Sequence, residues 1–325
     1  MNIDNLDQYS SIKLQTSNFK LQEYIDMKKV LLMLLFITSL TQAQAQTQER
    51  IPSVWAMNIS NIQGSYYRAT LEEANRIQNK YEFMVEHKPG AGGEVAAVYV
   101  KNQRTSALLG VAAAYFVRPY LYKANYSFDQ FKPIHVMATS PAALVTKDRS
   151  LQDIISQNTI SIGTAGAGSL THLMALKFKE YYPTKNVIMV NYKSSTEALQ
   201  DVLGGHTDLT FEFLGDAEAK GAKILGLTGR NKIKNYPLLK DIGYANQADI
   251  VGVYLILVKA DMPMAQYTEI QSILIKAEQS TRVQELYAAD YSGKPTNLKT
   301  YSDYATWYDR TIQYFGKITE GQRVE

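Results

Sequence analysis

A chain of 325 residues that is 46% hydrophobic and 20% charged can bury a substantial core, and its length suggests two domains. The net charge of +3 comes from basic residues scattered among acids, which leaves no basic stripe for nucleic acid. The absence of cysteine excludes disulfides, thiolate metal sites, a cysteine nucleophile and a lipid-anchored cysteine.

Residues 1–26 are polar, carry Asp4, Asp7, Glu23 and Asp26, and read as an upstream extension ahead of a mis-assigned start. Met27-Lys28-Lys29, the apolar run Val30 to Leu40 and Ala43-x-Ala45 form the three parts of a secretory signal peptide over 27–45. Cleavage is expected after Ala45, giving a soluble protein outside the cytoplasmic membrane. The apolar run falls short of the roughly 20 residues of a membrane-spanning helix. A buried helix or an uncleaved anchor is the alternative.

Past the signal, strands and helices alternate. Strands are predicted at Ser53–Ile59, Tyr81–His87 and Ser106–Ala114, with helices from Gly64 to Lys80 and around Glu94–Asn102. A long extended stretch follows at Pro133–Lys147. The alternation restarts with strands at Ile160–Gly163, Val187–Tyr192, Asp208–Phe213 and Lys223–Thr228. Helices are predicted at Ser169–Tyr181, Ser194–Leu203 and Asp216–Ala222. A second long extended run covers Val251–Ala260, and helices at Met264–Gln279, Thr281–Ala289 and Tyr301–Ile318 close the chain. This order implies parallel βαβ units and an α/β fold. The two extended runs suggest a chain that leaves one lobe near 140–147 and returns near 252–260. Lobe 1 would be 46–143 plus 258–325 and lobe 2 would be 144–257, with two hinge crossovers and a ligand cleft at the strand C-termini.

The stretch ISIGTAGAGSLTH carries the chemistry: a strand enters a glycine turn that opens a helix, where first-turn N–H groups lack intrahelical partners and can hold an anion. No Gly-Lys-Ser/Thr follows, the order is not G-x-G-x-x-G, and G-x-S-x-G is absent. Ser169 and His172 share a helix face but no third group orients the histidine. His172 is either a site residue or a packing residue of the helix start. His87, His135, His172 and His206 have no metal-ligand spacing, so no metal is expected. Asp208 and Glu212 alternate on one strand face, as a carboxylate pair or as solvated strand-end groups. Anion capture remains. One helix terminus contributes about 0.3–1 kcal/mol and charge-assisted bonds about 1.5–3 each, against the roughly 8 kcal/mol of micromolar affinity. A second lobe must therefore contribute, and the segments Asn58–Tyr67 and Ala112–Pro119 would face the cleft.

Four blocks then carry a resemblance: VEHKPGAGGEVAA (Val85–Ala97), IGTAGAGSLTH (Ile162–His172), VNYKSSTEALQDVLGGHTDLTF (Val190–Phe211) and ILGLTGRNK (Ile224–Lys232). In order and spacing they resemble the extracytoplasmic substrate-binding receptors of tripartite tricarboxylate transporters, the Bug receptors. The resemblance implies a two-lobed periplasmic-binding-protein fold, no catalysis, no cofactor and a small carboxylate-bearing organic acid in the cleft. It also implies permease subunits as membrane partners and a monomeric receptor. Thr164, Ala165, Gly166, Gly168 and Ser169 match the family's carboxylate cradle, and His172 in the first turn after it is a further candidate. The first loop departs from the family's Pro-Gly-Gly, which makes Asn61, Gln63, Ser65 and Tyr66 candidate contacts by side chain, with Gly64 beside them in the expected set. Ala114 and Tyr115 from the third strand's end and Phe213 from the seventh complete the expected set. Arg118 stands where the family often has a small amide; facing the cleft it could pair with a second carboxylate, and facing solvent it would not. A binding-only sensor of the same fold is an alternative, as is a secreted α/β hydrolase acting through Ser169, His172 or Glu212.

Overall fold

The structure, a computed structural model, describes residues 26–33, 50–57, 62–88, 90–104, 106–242, 249–295 and 297–323. It divides into two compact units, Met1–Glu49 and Arg50–Glu325. In the first, residues 26–33 form an exposed helix, α1; the rest of the expected signal segment lies outside the described residues. Among the described residues no helix is long and apolar enough to cross a membrane.

The second unit opens with β1 (Ile51–Met57), α2 (Ile62–Arg76), β2 (Tyr81–His87), α3 (Glu94–Lys101), β3 (Ala107–Ala112) and α4 (Ala114–Leu121). β1 lies between β2 and β3, parallel to both. β4 (Phe131–Thr146) is the longest strand, followed by α5 (Leu151–Ser156), β5 (Thr159–Thr164) and α6 (Leu170–Tyr181). Then come β6 (Asn186–Asn191), α7 (Ser195–Gly204), β7 (Leu209–Phe213), α8 (Leu214–Ala219) and β8 (Lys223–Leu227). β9 (Val251–Lys259), α9 (Met264–Glu278), α10 (Thr281–Ala289) and α11 (Tyr301–Ile318) finish the chain. The strand order is β2-β1-β3-β9-β4-β7-β5-β6, with β8 also paired to β4.

β4 belongs to both halves of this arrangement. Phe131 to Pro141 pair with β9, and Ala142 to Val145 pair with β7 while Ala143 to Thr146 pair with β8. Pro141 is the last residue paired to β9. Having no N–H, proline cannot donate to a ladder, and the strand changes partners there. β9 reads VGVYLILVK and is buried along nearly its whole length, as a central strand covered on both faces must be. α11 turns Tyr304, Tyr308, Thr311 and Phe315 inward at helical spacing, and Phe116 of α4 stacks on Phe315 with ring centroids 5.5 Å apart.

Two elements differ from the sequence reading. The third strand stops at Ala112 and the chain turns at once into α4, and α5 occupies a stretch read as connection. α2 begins at Ile62, two residues ahead of the expected start at Gly64, so Gly64, Ser65 and Tyr66 lie in its first turns.

Candidate ligand cleft

β5 ends at Thr164 and the chain makes the glycine turn before α6. Gly166 and Gly168 adopt φ of 87° and 79°, left-handed values that glycine takes without steric cost. The turn is stitched internally. The Ala165 N–H donates to Thr171 Oγ1 (2.8 Å), the Ser169 N–H to the Gly166 carbonyl (3.1 Å) and the Gly168 N–H to His172 Nδ1 (3.3 Å). Ser169 is the N-cap of α6, its hydroxyl accepting from the His172 N–H at 3.0 Å. Leu170 and Thr171, the first helical residues, carry N–H groups that no carbonyl of their own helix can reach. Ser169 Oγ and Thr171 Oγ1 lie 3.0 Å apart.

This helix start opens on a cavity of about 110 Å³. Ala165, Ser169, Leu170 and Thr171 form one wall, with Ser195 from the first turn of α7 and Phe213 from the end of β7. Ala112, Ala113 and Ala114, at the β3–α4 junction, form the facing wall with Gly252 and Tyr254 of β9. None of the lining residues carries a formal charge. The recess is apolar with hydroxyls and a helix N-terminus at one side, which suits a small anion with a hydrocarbon body. A larger open groove of about 790 Å³, bounded by Gln78–Lys80 and α9, contains none of the expected site residues.

Residues 68–287 match the family described as Tripartite tricarboxylate transporter family receptor. The chain belongs to this family. Among solved structures it is similar to the periplasmic binding protein BugD, at 18% identity and a TM-score of 0.74, over 84% of this chain and 98% of that one. It is also similar to MatC of Rhodopseudomonas palustris with bound malate, at 15% identity and TM-score 0.72, over 83% and 99% of the two chains. R. palustris Rpa4515 with adipate stands at 19% and 0.72, over 83% and 96%. No curated protein sequence matches. The architecture is the two-lobed periplasmic-binding-protein fold, and the family and these neighbours are binding proteins.

In this receptor the cavity gathers Ala114, Ala165, Ser169 and Phe213 from the expected set and adds Thr171, Ser195, Gly252 and Tyr254. Thr164, Gly166 and Gly168 build the turn without lining the cavity; Thr164 Oγ1 donates to Asn191 Oδ1 (2.7 Å). His172 is buried, and burial lowers its pKa. Its Nδ1 faces the Gly168 N–H and Ser169 Oγ faces its backbone, so the imidazole is not presented to the serine as a base. Tyr66 is fully buried; its hydroxyl donates to Asp290 Oδ2 (2.8 Å) and its ring meets Tyr254 edge-on at 6.1 Å. It backs the cavity wall. Gly64 and Ser65 do not line the cavity. Tyr115 points into the α4–α11 core, its hydroxyl 2.9 Å from that of Tyr308. Asn61 lies outside the described residues, and of Gln63 only the helical backbone is described.

The two acids of β7's face part company. Asp208 accepts from the Ser161 N–H (2.8 Å) and Oγ (2.7 Å) and pairs with Arg149 (2.8 Å) at the strand's far end. Glu212 is buried behind Ser195 and Phe213, with Oε1 accepting from the Phe213 N–H at 2.9 Å. Burial, with Asp216 and Asp290 adding to it against the bonds from Phe213 and Ser195, pushes its pKa up to about 8. Glu212 is therefore protonated at neutral pH and adds no charge against a bound anion. Ser195, Gly252 and Tyr254 were not marked by the sequence reading. Ser194-Ser195 at a helix start was the one local signal; nothing local marks the β9 pair.

Proposed function

We propose that this receptor captures a small carboxylate-bearing organic acid in the cavity between the α6 N-terminus and the β3–α4 junction. It would deliver that acid to the permease subunits of a tripartite tricarboxylate-type transporter. The observation that carries this reading is the uncharged cavity lined by a capped helix start and by the hydroxyl-bearing Ser169, Thr171 and Ser195. Such a site binds by N–H and O–H donation and holds no group arranged for turnover, which supports a receptor without catalysis. The names of MatC with malate and Rpa4515 with adipate agree with an acid of this size class.

In this proposal, Ser169, Thr171 and Ser195 hold the carboxylate, Ala114, Ala165, Phe213 and Tyr254 enclose the hydrocarbon, and Thr164, Gly166, Gly168 and His172 shape the turn. The lobes divide where β4 passes from β9 to β7, at Pro141–Ala142. The pairing of β9 with β3 and β4 along its length supports assigning Val251–Leu257 to lobe 1, ahead of the sequence-based boundary at 257–258. The protein is exported by the signal segment 27–45, cleaved after Ala45, and acts as a periplasmic monomer.

A thermal-shift screen against mono-, di- and tricarboxylates tests the reading. A ligand present at 100 times its Kd adds about 2.7 kcal/mol to stability, a rise of several degrees in Tm. Silence across the panel would overturn carboxylate capture.

A further inference from the structure

The cavity leaves its ligand's charge balanced by neutral donors alone, yet a cation stands one helical turn away. Ala114 at the cavity wall and Arg118 are four residues apart on α4, hence on one face about 6 Å apart along the axis. A Cβ placed on Gly92 would sit 3.5 Å from Arg118 Cδ, 3.5 Å from the Gly168 carbonyl oxygen and 3.6 Å from Ala114 Cβ. A Cβ placed on Gly168 would sit 3.7 Å from Arg118 Nη1. The Arg118 side chain therefore passes the 91–93 turn at its Cδ and brings its guanidinium to the glycine turn, beside the cavity wall.

It is also held in a fixed pose. Arg118 Nε donates to Glu94 Oε2 at 2.5 Å, and Glu94 Oε1 accepts from the Asn125 N–H (3.2 Å) and Nδ2 (2.5 Å). Burial opposes the Glu94 charge, but these bonds from Arg118 and Asn125 win and keep its pKa below the ordinary carboxylate value. The guanidinium carbon lies 5.3 Å from the Tyr122 ring centroid, and the Arg118 side chain is only 18% exposed. Glu94 and Tyr122 thus fix one edge and one face. Among the described residues neither Nη nitrogen has a hydrogen-bond partner. An ordered, mostly buried guanidinium with a free Nη edge is arranged to take a planar two-oxygen acceptor.

We propose that Arg118 is the specificity-determining residue of this receptor and binds the second carboxylate of a dicarboxylate. The first carboxylate occupies the glycine turn, and the hydrocarbon spans Ala114. This rests on the carboxylate reading above and narrows it to one ligand class. The free Nη edge favours acids with a terminal second carboxylate over monocarboxylates of the same chain length.

The test is titration calorimetry of the purified protein with succinate, glutarate and adipate against butyrate, pentanoate and hexanoate. The wild type should bind at least one diacid about tenfold or more tightly than its monoacid partner, the worth of one charge-assisted contact. Arg118→Met should bring that ratio close to one. Arg118→Lys, which keeps the charge beside Glu94 but loses the planar fork, should lower it severalfold and serves if the methionine variant does not fold. A diacid preference that survives in the folded variants would overturn the role of Arg118, as would a wild type that binds both classes equally. A wild type that binds no acid of either class would overturn the carboxylate reading itself.

Discussion

Glu212 and His135 show how far single buried groups depart from their ordinary chemistry. His135 Nε2 lies 2.7 Å from Glu278 Oε2, a geometry that would suggest an ion pair. Burial, reinforced by the nearby Lys294, lowers the imidazole pKa to about 3, so the ring is neutral. Lys294 and the Tyr287 hydroxyl, which donates to Glu278 Oε1 at 2.6 Å, meet the Glu278 charge instead. Glu212 departs in the opposite direction. Burial, with Asp216 and Asp290 adding to it, raises the Glu212 pKa from 4.5 to about 8, and Tyr66 and Tyr254 face the same acidic cluster. A folded state that keeps a proton the unfolded chain has released loses stability as pH rises from 4.5 to 8, and levels off above. Asp216, raised to about 6, contributes only below that value. Between pH 6 and 8 the wild type should therefore lose up to roughly 1.4 kcal/mol per pH unit through Glu212. Glu212→Gln should remove that slope in urea titrations at pH 6, 7 and 8. Parallel slopes for the two proteins would assign the pH dependence elsewhere.

Helix caps carry the next scale. Ser169, Ser194 and Thr300 cap α6, α7 and α11, each accepting from the N–H three residues on. Ser169 caps a helix and lines the cavity, whereas Thr300 only caps. Ser169→Ala and Thr300→Ala should each cost about 1 kcal/mol of stability. Only the serine variant should also weaken binding of the responding acid, measured by calorimetry. Equal affinities in both variants would remove Ser169 from the site. The elements that sequence missed lack such signals or fall short of their usual length. α4 reads AYFVRPYL, has no side-chain cap at Ala113 and carries Pro119 internally, so its apolar run looks like a continuation of β3. It is helical because Tyr115 and Phe116 bury against Tyr126, Phe128, Tyr308 and Phe315. α5 does have a capping box, Ser150 with Asp153, but spans only six residues.

Across the whole molecule, β4 and β9 set the cavity by bringing distant strands together. A Cβ on Gly252 of β9 would lie 2.5 Å from Phe213 Cε1 and 3.0 Å from Cζ on β7. Both residues line the cavity. Gly252→Ala must displace the phenyl ring, and it should lower ligand affinity about tenfold or more while leaving a cooperative melt, since a ring at a cavity edge has room to turn. Unchanged affinity would show that Phe213 does not shape the bound state.

The alternation of apolar runs with helical patterns was enough to specify an α/β chain, the nine strands of the described residues and the glycine turn between β5 and α6. Those features depend on residues close in sequence: backbone periodicity, caps, and glycines that permit positive φ. Which side chains line the cavity was decided only by tertiary structure. Tyr66 and Tyr115 look like cleft contacts in sequence, but each turns into a buried core. Gly252 and Tyr254, placed mid-strand with no local mark, reach the cavity because β9 runs between β3 and β4. Arg118 lies beside the cradle because α4 forms and Glu94 and Asn125 hold it there. Burial and charge pairing between residues far apart in the chain decide which side chains remain available to a ligand, and local sequence does not encode them.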